Sequence, residues 1–154
     1  MGQKVINFTG LGSAPKVPIP AGYQGFNWLG YTNDGVFEGA VNVANKTPPY
    51  LYGVGFSATL VDTNSVFKLN NVLIVSASSD PDPVEVEVIG FQGTNTIYSQ
   101  TIVLTDSPSR ISLPSQIINQ VQFKSIALSS FRVFEIVIET EIAAGSPPAP
   151  PTPR

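Results

Sequence analysis

The segment PVEVEVIGF (83–91) alternates apolar and acidic side chains with a period of two. In an extended chain Val84, Val86 and Val88 share one face, and Glu85 and Glu87 share the other. The segment RVFEIVIETEI (132–142) repeats the theme, with Phe134, Ile136 and Ile138 opposed to Glu135, Glu139 and Glu141. Such strands place one side on a core and the other in water. Sliding either by one residue would bury its glutamates, so pairing register is strongly specified.

The rest of the chain has the same character, and no segment carries a helical period. Short extended runs recur between Gly, Pro, Asn and Asp: 3–8, 26–31, 36–44, 55–61, 66–78, 83–91, 95–104, 109–113, 121–128 and 132–142. The run NVLIVSAS (71–78) is apolar on both faces from Val72 to Val75, as a central strand is. Ten runs predict an all-β protein, an antiparallel two-sheet β-sandwich of jelly-roll-like form. The sandwich domain is expected over residues 1–143. Residues 144–154 form a proline-rich tail or linker, since five of the last eight residues are proline and favour an extended polyproline chain.

The chemistry open to such a domain is narrow. The chain contains no histidine and no cysteine, which removes the usual general base, nucleophilic dyads and thiolate metal sites. Glu85/Glu87 and Glu139/Glu141 are the obvious acidic pairs, but each pair sits on a solvent-facing strand surface, where it aids solubility. Catalysis is therefore not expected, nor is any cofactor. A net charge of −3 without a basic cluster argues against nucleic acid as a partner. No apolar run reaches the roughly 20 residues of a membrane span, and no signal-peptide core stands at the start. Asp80 and Asp82, in SSDPDPV, are weak candidates for calcium. Asp-Pro pairs are also ordinary turn chemistry, and the turn is the favoured reading.

Aromatic side chains are the remaining candidates. Trp28, the chain's single tryptophan, follows the Gly22 and Gly25 hinges of PIPAGYQGFNW and is expected in the core. Tyr50 and Tyr52, in NKTPPYLYG, share a parity and follow two prolines. Projecting together, they would make a platform for the apolar C–H face of a sugar, with Asn42, Asn45 and Thr47 as polar neighbours.

The segments IPAGYQGFNW, FKLNNVLIVSAS, VEVEVIGFQGTNTIYSQTIVL and VQFKSIALSSFRVFEIVIETEI, in this order, resemble a family of secreted bacterial and fungal jelly-roll β-sandwich domains. Some members of that family precede PEP-CTERM sorting tails, and the domains are similar to carbohydrate-binding modules. The resemblance spans most of residues 5–139 and centres on the Gly-Tyr-x-Gly-x-x-Trp segment and the hairpin from Gly90 to Gln100. It implies an extracellular location. Thr9 and Gly10 stand where the family has acidic residues after Phe8, and Phe134-Glu135-Ile136-Val137 stands where it closes with Phe-x-hydrophobic-Asp, so the structural calcium of related jelly rolls is not expected here.

Residues and resemblance together predict a non-catalytic binding module for a glycan or cell-surface polymer. The alternative is a self-assembling structural subunit of a sheath, fibre or lattice, its partners being copies of itself. Only 12% of the chain is charged, about half the usual share of roughly 25%, and weakly charged β surfaces associate readily.

Overall fold

The computed structural model describes residues 2–8, 17–20, 22–31, 37–39, 41–43, 49–62, 64–77, 84–127 and 129–143. They form fourteen strands: β1 (Gly2–Asn7), β2 (Val17–Pro18), β3 (Phe26–Tyr31), β4 (Phe37–Gly39), β5 (Val41–Val43), β6 (Tyr50–Gly53) and β7 (Gly55–Leu60). These are followed by β8 (Ser65–Ser76), β9 (Val84–Gln92), β10 (Asn95–Leu104), β11 (Ser109–Ser112), β12 (Ile117–Ile118), β13 (Gln120–Ser125) and β14 (Phe131–Ala143). A single 3-10 turn at Tyr23–Gly25 is the one helical element among the described residues.

The strands make two antiparallel sheets. The first runs β11-β8-β14-β6-β5-β2, with β1 added on β14 and β12 on β8; the second runs β10-β9-β13-β7-β3-β4. Many of the connections cross between the sheets, so most neighbours within a sheet are distant in sequence, as in a jelly roll. The chain is an all-β antiparallel sandwich with a jelly-roll-like arrangement.

Alternation places the core where the sequence put it on β9: Val84, Val86 and Val88 are at most 2% exposed, while Glu85 points to water. The run 66–78 forms β8, which ends at Ser76 and is an interior strand in which Val72, Ile74 and Val75 are all buried.

Three expectations need correction. The run 36–44 is not one strand: β4 belongs to the second sheet and β5 to the first, so the chain changes sheets between Gly39 and Val41. The run 121–128 stops at Ser125, and Ile126 lies in a turn, 58% exposed. In β14 the expected face of Phe134, Ile136 and Ile138 breaks up, because a bulge falls between Val133 and Glu135. The extra residue lets Val133 and Ile136 both point inward and leaves Phe134 on the outer surface.

Trp28 is core, as expected. Its ring is 4% exposed and lies among Phe8, Phe26 and Phe56 at centroid distances of 5.6, 5.7 and 6.1 Å. The indole N–H donates to the Tyr23 carbonyl at 2.8 Å, which satisfies its one polar atom. The preceding turn reverses through Gly22 at φ 81° and Gly25 at φ 87°, a left-handed backbone that glycine adopts without strain. It is tied to β1 by the Tyr23 hydroxyl, which donates to the Asn7 carbonyl, and by Lys4 Nζ, which donates to the Gln24 carbonyl.

Candidate functional site

Each sheet turns one face to water, and the two faces differ in chemistry. On the second sheet, the outer face is read across the strands in rows. One row is Ser99, Ile89, Gln122, Ser57 and Leu29; the next is Thr96, Phe91, Gln120, Thr59 and Asn27. Hydroxyls and carboxamides dominate these rows. Glu87 lies in the row beyond, between Thr101 and Lys124, and accepts a hydrogen bond from the Ser99 hydroxyl at 3.2 Å.

The outer face of the first sheet carries aromatic rings and charges of both signs, Arg110, Arg132, Glu135 and Glu139 among them. Leu51 of β6 points into the core, 1% exposed, so Tyr50 and Tyr52 on either side point outward. Their surroundings differ. Tyr50 is only 8% exposed, because the bulged Phe134 stands edge-on against it at 5.6 Å and the Arg132 guanidinium lies 5.1 Å from its ring centre. The expected pair of exposed rings is therefore a single exposed ring. Tyr52 is 39% exposed, and its hydroxyl donates to Ser130 Oγ at 3.3 Å. Its direct cross-strand partner on β14 is Arg132.

The polar residues expected beside the tyrosines are placed as follows. Asn42 stands opposite Leu51 in the register, while Val43 and Val41 stand opposite Tyr50 and Tyr52. The backbone thus sets Asn42 in the row of Leu51, not in either tyrosine row. Asn45, Thr47, Asp80 and Asp82 lie outside the described residues, as does the tail 144–154. Among the described residues no group of three acidic side chains could hold a metal, and no helix is long and apolar enough to cross a membrane.

Arg132 is the residue that sequence reasoning missed. Its Nε is buried with no hydrogen-bond partner, and no described residue forms an ion pair or hydrogen bond with the rest of the guanidinium. The other arginine on this face, Arg110, is satisfied: it donates from Nη2 to Glu135 Oε1 and from Nη1 to Asn71 Oδ1, each at 2.7 Å. The local sequence does show Arg132 and Phe134 at the same parity. Their meeting with Tyr50 and Tyr52 depends on a long-range pairing that no local pattern reveals.

Solved structures with a similar course of chain include a family two carbohydrate esterase from Cellvibrio japonicus, at TM-score 0.44 and 11% identity, covering 92% of this chain and 34% of that one. A rhamnosidase from Klebsiella oxytoca aligns at TM-score 0.41 and 17% identity, over 57% of this chain and 21% of the enzyme. A family 11 carbohydrate-binding module from Clostridium thermocellum aligns at TM-score 0.39 and 15% identity, covering 90% of this chain and 95% of the module. The chain thus spans about a third or less of the two enzymes, and nearly the whole of the module. No family model and no curated protein sequence matches it.

Proposed function

We propose that this domain is a non-catalytic module that binds a glycan on the outer face of the first sheet, centred on Tyr52. The observation that carries this reading is an aromatic residue 39% exposed on a sheet strand, its hydroxyl held by Ser130 and Arg132 standing opposite it on the neighbouring strand. A ring fixed on a strand presents a flat apolar surface at little conformational cost, and the C–H face of a pyranose stacks on such a surface. Arg132 and Ser130 supply the polar atoms that sugar hydroxyls need. The absence of histidine and cysteine from the sequence supports binding without catalysis. The proline-rich composition of residues 144–154 supports their role as a linker, and the family resemblance supports an extracellular setting.

Affinity electrophoresis through gels holding soluble polysaccharides tests the reading. A β-1,3-1,4-mixed-linked glucan and polygalacturonate serve as neutral and acidic probes. Retardation that Tyr52→Ala abolishes is the expected result; free migration of the native chain through every polymer would end the proposal.

One observation favours the structural-subunit reading as a rival. Strand β10 closes the second sheet with ten residues, NTIYSQTIVL, that include no charge and no proline, and Ile97 and Val103 are exposed along it. Edges are usually blunted by such residues. Sedimentation that shifts to larger species with rising concentration, and reverts in Val103→Lys, would favour assembly through this edge.

A further inference from the structure

The ligand class can be taken one step beyond the glycan-binding reading, on which this inference rests. Arg132 and Tyr52 are directly opposed on neighbouring strands, so their side chains leave the same face with Cβ atoms about 4.5–5.5 Å apart. The guanidinium rests on the Tyr50 ring, and with Nε covered, the terminal nitrogens form its outward edge. A guanidinium stays charged at any accessible pH and carries donors only.

Among the described residues, the acidic and basic groups around it leave that charge unanswered. Glu135 is committed to Arg110, and Glu139 Oε1 accepts from Asn70 Nδ2 at 3.4 Å, on the row of Lys68. Water satisfies a charged donor at a surface, and an acceptor brought by a ligand would replace that water with a charge-assisted pair. The planar fork of arginine matches a carboxylate in a bidentate fit, which a lysine ammonium cannot reproduce.

We propose that the Tyr52 face recognises a carboxylate-bearing glycan, a polymer of uronic acid residues. The Arg132 fork holds the carboxylate, and the Tyr52 ring lies against the pyranose of the same or the adjoining residue. Specificity comes from this local pair, since a chain with a net charge of −3 has no general attraction for polyanions.

The test uses the full chain in gels containing polygalacturonate, its methyl ester, dextran sulfate or the neutral mixed-linked glucan. Polygalacturonate should retard the protein with an affinity about tenfold or more above that for the ester, the size of one charge-assisted contact. Arg132→Lys should lose that preference while keeping its melting temperature, and Tyr52→Ala should lose retention altogether. Equal retention by the acid and its ester, or by polygalacturonate and dextran sulfate, overturns the carboxylate proposal while leaving glycan binding in place. So does an Arg132→Lys variant with unchanged preference. Retention by no polymer overturns the glycan reading itself. The acid-to-ester comparison needs no variant, so it decides the matter even if Arg132→Lys fails to fold.

Discussion

Trp28 and Tyr52 are both aromatic residues on sheet strands, and each donates one hydrogen bond from its polar tip, Trp28 to the Tyr23 carbonyl and Tyr52 to Ser130 Oγ. One is 4% exposed and the other 39%. Trp28 leaves its strand toward the opposite sheet and meets Phe8, Phe26 and Phe56, whereas Tyr52 leaves toward water beside a guanidinium that has no ion-pair partner among the described residues. Similar chemistry serves cohesion in one region and recognition in the other. Which face the strand turns toward the core decides between them.

The comparison breaks first, if it breaks, at Trp28. Trp28→Ala should destabilise the fold by about 3–5 kcal/mol in urea unfolding, the range for truncating a large buried aromatic. A cost near that of a surface change would mean that the cluster does not hold the sheets together.

Tyr50 tests whether the outer face has a core of its own. Buried under Phe134 and Arg132, it should cost about 2 kcal/mol when changed to Ala, through lost packing and lost cation–π contact. A neutral result would place it with Tyr52 as a free ring.

Gly90 tests how tightly the inner face of the second sheet is packed. A Cβ there would lie 2.5 Å from Tyr98 Cε2 and 3.0 Å from Ile118 Cγ2, so Gly90→Ala should cost roughly 1–3 kcal/mol by overpacking. A Tyr98→Ala background that removes most of this cost would confirm the clash as its origin.

Tyr98 also gives this packing a pH signature. Burial pushes its phenol from 10.0 up to about 12, and its Oη has no hydrogen-bond partner. The neutral form is thus favoured in the folded state. This contribution to stability is whole below the unfolded pKa near 10 and is lost as pH rises through about 12. Denaturant midpoints should fall over that interval, and less so in Tyr98→Phe; an identical fall in both proteins would locate the effect elsewhere.

The smallest expected effect on stability belongs to Tyr52. Tyr52→Ala should change it by no more than about 0.5 kcal/mol, as at an ordinary surface position, and yet abolish polysaccharide retention. If stability falls as far as in Trp28→Ala, the contrast between the two rings is void.

The sequence by itself determined the fold class, because alternation with a period of two is a local property. Val84, Val86 and Val88 had to share a face in any extended chain, and their buried positions follow from that. It also determined the range of chemistry, since a chain without histidine or cysteine lacks those groups in every conformation. Only the tertiary structure decided which outward residues meet. The β14 bulge that sets Phe134 over Tyr50, the change of sheet between Gly39 and Val41, and the pairing of Arg132 with Tyr52 all depend on strands far apart in the chain. Parity says which residues share a face of one strand. Register across strands is fixed by the packing of the whole sandwich, and register is what brought a guanidinium beside an exposed ring.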